Sequence, residues 1–117
     1  MKIGVTSQNF KTITGHAGKT RRFLVFSQSQ QGEWYESNRI DLPKEKSMHE
    51  FSGGPHPLDD LDILITGSCG AGFIKKLNSR GVQVIATSET SPCYAVDRLT
   101  QGLPLARAEP HVHLSSH

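Results

Sequence analysis

Two rhythms of apolar and polar residues run along this chain, and each predicts a different kind of element. Residues 2–6, read Lys-Ile-Gly-Val-Thr, are a short apolar run bounded by polar positions, the pattern of a strand within a sheet. Residues 7–22 have no apolar period and hold Gly15, His16, Gly18 and a basic cluster of Lys19, Arg21 and Arg22, so they read as a long loop. Residues 23–26 and 34–40 flank a polar stretch in which Gly32 can take a left-handed turn conformation, which predicts a β-hairpin.

Pro43, Gly53, Gly54, Pro55 and Pro57 break up residues 42–60, leaving a second long loop with one brief helical turn at 47–51. Long ordered loops often carry function, and this chain has two. The rhythm then sharpens into a strand at 61–66, a helix at 70–80, a strand at 82–86 and a helix at 92–101. Strand, helix, strand, helix in that order predicts parallel pairing through a right-handed crossover. In the first helix Phe73, Ile74 and Leu77 share an apolar face, Lys75, Lys76 and Arg80 face water, and Gly81 suits the left-handed position past the end. Ser91 and Pro92 cap and open the second. The expectation is one α/β domain over 1–105, followed by a disordered tail at 106–117 that contains His111, His113 and His117.

Composition narrows the function. At 117 residues and 35% hydrophobic content the chain has room for one modest core and no second domain. A net charge of +2, from 13 basic and 11 acidic residues, gives no field to steer a nucleic acid. No apolar run approaches the roughly 18 residues a membrane span needs, and no charged segment followed by an apolar core opens the chain. Cys69 and Cys93 form neither a disulfide framework nor a C-x-x-C motif, which places the protein in a reducing cytoplasm.

The candidate chemistry gathers in the loops. Residues 65–73, Ile-Thr-Gly-Ser-Cys-Gly-Ala-Gly-Phe, join a parallel strand's end to a helix start, where backbone amides can cradle an anion. Gly67, Gly70 and Gly72 would let a bulky ligand approach the main chain beside Ser68, and Cys69 near the helix N-terminus would favour a thiolate. A cysteine there can equally be a small residue filling a tight turn. His16, His49 and His56 lie in the loops, and imidazole with thiolate suits iron or other first-row metals, although a loop histidine is usually just solvated. Cys93, early in the second helix, reads as a buried small hydrophobe. No carboxylate pair, Ser/His/Asp order, Walker loop or G-x-G-x-x-G is present, so hydrolase, kinase and dinucleotide readings have no residues to carry them.

Residues 1–7, the Thr14-Gly15-His16-Ala17-Gly18 loop and residues 61–73 resemble the dinitrogenase iron-molybdenum cofactor biosynthesis family, with the likeness running to about Gly102. That resemblance implies a ribonuclease-H-like three-layer α/β fold whose mixed sheet has about five strands. The acidic residues of nucleases with that fold are missing from the first strand. It also implies non-catalytic binding or carrying of an iron-sulfur cluster, the iron-molybdenum cofactor or its precursor, with nitrogenase or cofactor-assembly proteins as partners and a homodimer left open. On this reading Gly15, His16 and Gly18, with Gly67, Ser68, Gly70 and Gly72, bind the cofactor. His16 and Cys69 would ligate metal, with His49 and His56 nearby. Two departures stand out: Ala17 replaces the family's usual aromatic after the loop histidine, and Cys69 replaces its glycine or methionine. Two cysteines cannot supply the four thiolates of a conventional cluster site. The rival readings are an interaction module using Lys19, Arg21 and Arg22, and an enzyme built on a Cys69 thiol.

Overall fold

The computed structural model describes residues 1–51 and 53–108. Five strands, β1 (Lys2–Thr6), β2 (Arg22–Gln28), β3 (Trp34–Asp41), β4 (Ile63–Thr66) and β5 (Gln83–Ala86), form one sheet in the order β3-β2-β1-β4-β5. β1, β2 and β3 pair antiparallel, whereas β1 with β4 and β4 with β5 pair parallel. This is the mixed five-stranded α/β sheet that the resemblance implies, with the parallel pairing and the hairpin that the pattern predicts, and the turn between β2 and β3 has Gly32 at φ 88°. The ribonuclease-H label itself rests on the resemblance alone.

Period-2 alternation sends neighbouring residues of each strand to opposite faces. Phe23, Val25 and Leu64 meet Phe73 and Leu77 of helix α1 (Ala71–Ser79) on one face. Ile3, Val5, Leu24, Phe26 and Ile65 meet Ala95 and Val96 of helix α2 (Pro92–Thr100) on the other. The sheet is therefore covered by one helix on each side, which makes three layers. Burying each large apolar side chain contributes about 1.5–3 kcal/mol, enough in sum to fix the register. β2 and β3 shift register at Val25 and Phe26, a bulge that twists the edge strand.

Several details depart from expectation. Ile74, assigned to the apolar face of α1, is 36% exposed, because that short helix touches the sheet only along the Phe73 and Leu77 ridge. Cys93 is exposed rather than buried. The loop at 42–60 holds two 3-10 turns, Lys44–Lys46 and Pro57–Asp60, in addition to the turn at 47–51, where the N–H of Phe51 reaches the carbonyl of Ser47. Of the tail expected at 106–117, residues 106 and 107 are tied to the segment after β5, and those from 109 on lie outside the described residues. Arg107 bridges Thr87, the Thr87 hydroxyl donates to the Ala106 carbonyl, and the Ala106 N–H donates to Glu89. His111, His113 and His117 lie outside the described residues. Among those described, no helix is long and apolar enough to cross a membrane.

Candidate functional site

β1 and β4 are adjacent and parallel, yet the chain leaves them in opposite directions, from β1 toward β2 and from β4 through α1 toward β5. A crevice opens outside the carboxyl ends of two such strands, the usual place for a ligand in an open α/β sheet. Two buried threonines lie beneath it, at the ends of the strands. The Thr6 and Thr66 hydroxyls are 2.9 Å apart, and Thr6 Oγ1 also donates to the Thr14 carbonyl at 2.6 Å. Thr66 Oγ1 lies 3.2 Å from the Ser68 carbonyl, so the ends of both strands tie down the loops above them.

Those loops are zipped together. The Gly67 N–H donates to the Thr14 carbonyl (3.0 Å), the His16 N–H to Ser68 Oγ (2.8 Å) and the Ala17 N–H to the Ser68 carbonyl (3.0 Å). The glycines divide into two kinds here. A Cβ on Gly15 would collide with Ser68 Oγ, and one on Gly67 would lie 3.2 Å from the Thr14 carbonyl group, so both glycines serve the close approach of the loops to each other. Gly70 and Gly72 have nothing within 4 Å of where a Cβ would stand, which leaves that space for a ligand.

His16, Lys19, Ser68, Cys69 and Gly70 line an open cleft of about 320 Å³. Gly18 and Gly70 continue it into a second concavity of about 380 Å³, walled by Met48, His49, Phe73 and Lys76. The second loop forms that wall because the His49 N–H donates to the Gly18 carbonyl (2.7 Å) and Lys76 Nζ to the Met48 carbonyl (2.7 Å). No side chain caps the start of α1 at Gly70, and its first turn has no acidic residue, which leaves its leading N–H groups to meet negative charge.

The structure thus brings His16, Ser68, Cys69, Gly18, Gly70 and Gly72 to one cleft, with His49 on its far wall. His56 has a different job. It is 5% exposed; its Nδ1 accepts the Leu58 N–H (3.0 Å) and its Nε2 donates to the Lys46 carbonyl (2.6 Å), while its own N–H donates to Asp59. With both ring nitrogens engaged, and Phe51 against the ring edge-on at 4.7 Å, it caps the 3-10 turn and offers no lone pair to a metal. Burial lowers its pKa, against the opposing pull of the Lys46 carbonyl bond.

Cys69 also differs from expectation: its partial enclosure against the core pushes the thiol pKa up by desolvation. Among the described residues no group of three or more His, Cys, Asp or Glu is arranged to hold a metal ion. At the cleft the side-chain donors are His16 and Cys69, with backbone amides beside them. The basic cluster is largely spent on structure. Arg21 Nε donates to the Leu42 carbonyl and Arg22 pairs with Asp41 at 3.5 Å, leaving Lys19 at the cleft. Sequence reasoning missed Thr6, Thr66, Met48 and Lys76, whose roles depend on contacts between distant loops and elements.

Comparison with known proteins agrees with this architecture. The family model described as dinitrogenase iron-molybdenum cofactor matches residues 1–102. The crystal structure of PH0822 superposes with a TM-score of 0.68 at 15% identity, covering 88% of this chain and 93% of that one. An NMR structure from Thermotoga, described as NifB-like and of the DUF35 family, gives 0.61 at 13% identity, covering 95% and 97%. A search of curated proteins gives no match.

Proposed function

Because the chain belongs to the dinitrogenase iron-molybdenum cofactor family, we propose that it receives a preformed iron-sulfur or iron-molybdenum-type cluster as cargo and carries it without catalysing a reaction. The observation that carries this reading is the zipped pair of loops over β1 and β4, which sets an imidazole, a thiol and two unobstructed glycines around one open cleft. His16 and Cys69 ligate the cargo, His49 approaches from the second concavity, and the first-turn amides of α1 steady its anionic sulfides. A cluster is large, so glycines with empty space above them matter as much as ligands.

A raised thiol pKa disfavours Cys69 as an activated nucleophile and suits a ligand that loses its proton only when metal arrives. Few strong ligands also suit transfer, since a cargo held by one or two bonds can be passed on. Its partners are then nitrogenase or cofactor-assembly proteins, in the cytoplasm.

The direct test is anaerobic titration of the purified protein with isolated iron-molybdenum cofactor, followed by absorption and electron paramagnetic resonance. Stoichiometric uptake with a perturbed signal, weakened in folded His16→Ala and Cys69→Ala variants, is the expected result. Equal uptake by both variants and the parent would remove the ligand assignment, and no uptake by the parent would remove the carrier reading.

A further inference from the structure

We infer that Ser68 is a positioning residue: its hydroxyl fixes the His16 backbone in a left-handed conformation and so presents the imidazole at the cleft. The inference about geometry is independent of any cargo, while its consequence for binding rests on the carrier reading above. His16 has φ 55°, a region that side chains with a Cβ disfavour unless their surroundings hold them there. The restraints are visible. On the carboxyl side, the His16 carbonyl accepts the N–H groups of Lys19 (2.9 Å) and Thr20 (3.1 Å) and the Thr20 hydroxyl (3.1 Å), all from its own loop.

On the amino side the restraint is Ser68 Oγ, 52 residues along the chain, which accepts the His16 N–H at 2.8 Å. Gly15 makes room for that oxygen, since any Cβ at 15 would occupy its position. The same serine accepts the Ala17 N–H and a threonine hydroxyl through its carbonyl, and those contacts do not depend on its side chain. Ser68→Ala therefore removes the bond that holds His16 from its amino side while leaving the other zipper bonds in place. Among these restraints the Ser68 bond is the one that ties the His16 N–H to the loop after β4, and through it the imidazole's place at the cleft.

The test begins on the protein without cargo. In the parent, the His16 amide should be protected from hydrogen exchange and its φ-dependent coupling should report a left-handed residue. Ser68→Ala should lower that protection roughly tenfold, leave the Gly67 amide unchanged, and be rescued by Ser68→Thr, which keeps the acceptor. With isolated iron-molybdenum cofactor added, pulsed electron paramagnetic resonance should show a His16 nitrogen coupling that weakens in Ser68→Ala. An unprotected His16 amide in the parent, or one unaltered in Ser68→Ala, overturns the inference regardless of uptake. If the amide responds as expected but neither Ser68→Ala nor His16→Ala alters uptake, the geometric inference is upheld and the His16 ligand assignment is what falls.

Discussion

Thr6 and Thr66 end two neighbouring parallel strands, and their buried hydroxyls meet at 2.9 Å beneath the candidate site. The pair matters because Thr6 donates its proton to the Thr14 carbonyl, and the one proton of Thr66 is shared between Thr6 Oγ1 and the Ser68 carbonyl. Strand ends and binding loops are thereby one hydrogen-bonded unit. Thr66→Val keeps shape and volume but removes the link, which should cost about 1–2 kcal/mol and lower the melting temperature by about 4–8 °C for each kcal/mol. Calorimetry checks the cost, and faster exchange of the Gly67 amide would place the damage in the loops. A melting temperature equal to the parent's would mean the hydroxyl pair contributes nothing.

The two kinds of glycine should separate stability from uptake. Gly67→Ala pushes a methyl group to 3.2 Å from the Thr14 carbonyl group, backbone atoms with little freedom to yield, and should destabilise by about 1–3 kcal/mol. Gly72→Ala meets nothing within 4 Å and lies in the first turn of α1, so it should gain up to about 1 kcal/mol while weakening uptake of isolated iron-molybdenum cofactor. Denaturant melts and anaerobic titration of the same two proteins give both readouts. Unimpaired uptake by a stabilised Gly72→Ala would mean that the space above Gly72 is not used.

Thiol labelling distinguishes the two cysteines. Cys93 is exposed, whereas Cys69 is half-buried and its thiol is raised by desolvation, so a thiolate-selective reagent at neutral pH should modify Cys93 first. Isolated iron-molybdenum cofactor should then protect Cys69 and not Cys93. Peptide mass mapping after timed alkylation reads both, and protection of neither cysteine would remove Cys69 from the ligand set.

How much of this was legible in the sequence follows from the range of the interactions involved. The Lys2–Thr6 strand, the hairpin around Gly32 and the cap at Ser91 are written in local pattern, and each has its expected place. The Gly15-His16 and Gly67-Ser68 loops stood out by composition, but their joining depends on bonds spanning 52 residues, and no local period encodes those. Cys69 was misjudged because helix proximity is visible in sequence and desolvation is not. Ile74 failed because an α1 of nine residues buries a narrower ridge than the full apolar stripe. His56 misled for a related reason: a histidine before Pro57 in a Gly/Pro-rich loop reads as solvated, and only the folded chain shows both nitrogens bonded.

His56 therefore predicts an acid sensitivity of stability, not of metal binding. Its folded-state pKa is lowered below 6.5, chiefly by burial, with the nearby Arg80 charge adding to the effect against the Lys46 carbonyl and the Asp59 charge. Below 6.5 the unfolded chain takes up a proton that the folded chain resists, because protonated Nδ1 can no longer accept the Leu58 N–H. The contribution of neutral His56 is thus complete above 6.5 and declines as pH falls beneath it. Asp59 acts lower on the scale. Burial alone would raise its pKa, but the Arg80 bond at 2.8 Å, the His56 N–H and the Arg80 charge outweigh it, so its contribution holds above 3.8 and fades as pH falls further. His56→Asn retains a cap acceptor without a titrating ring. Its melts between pH 7.5 and 5 should be flatter than the parent's, with the curves converging toward acid. Parallel curves over that range would mean that protonating His56 leaves the Leu58 bond intact.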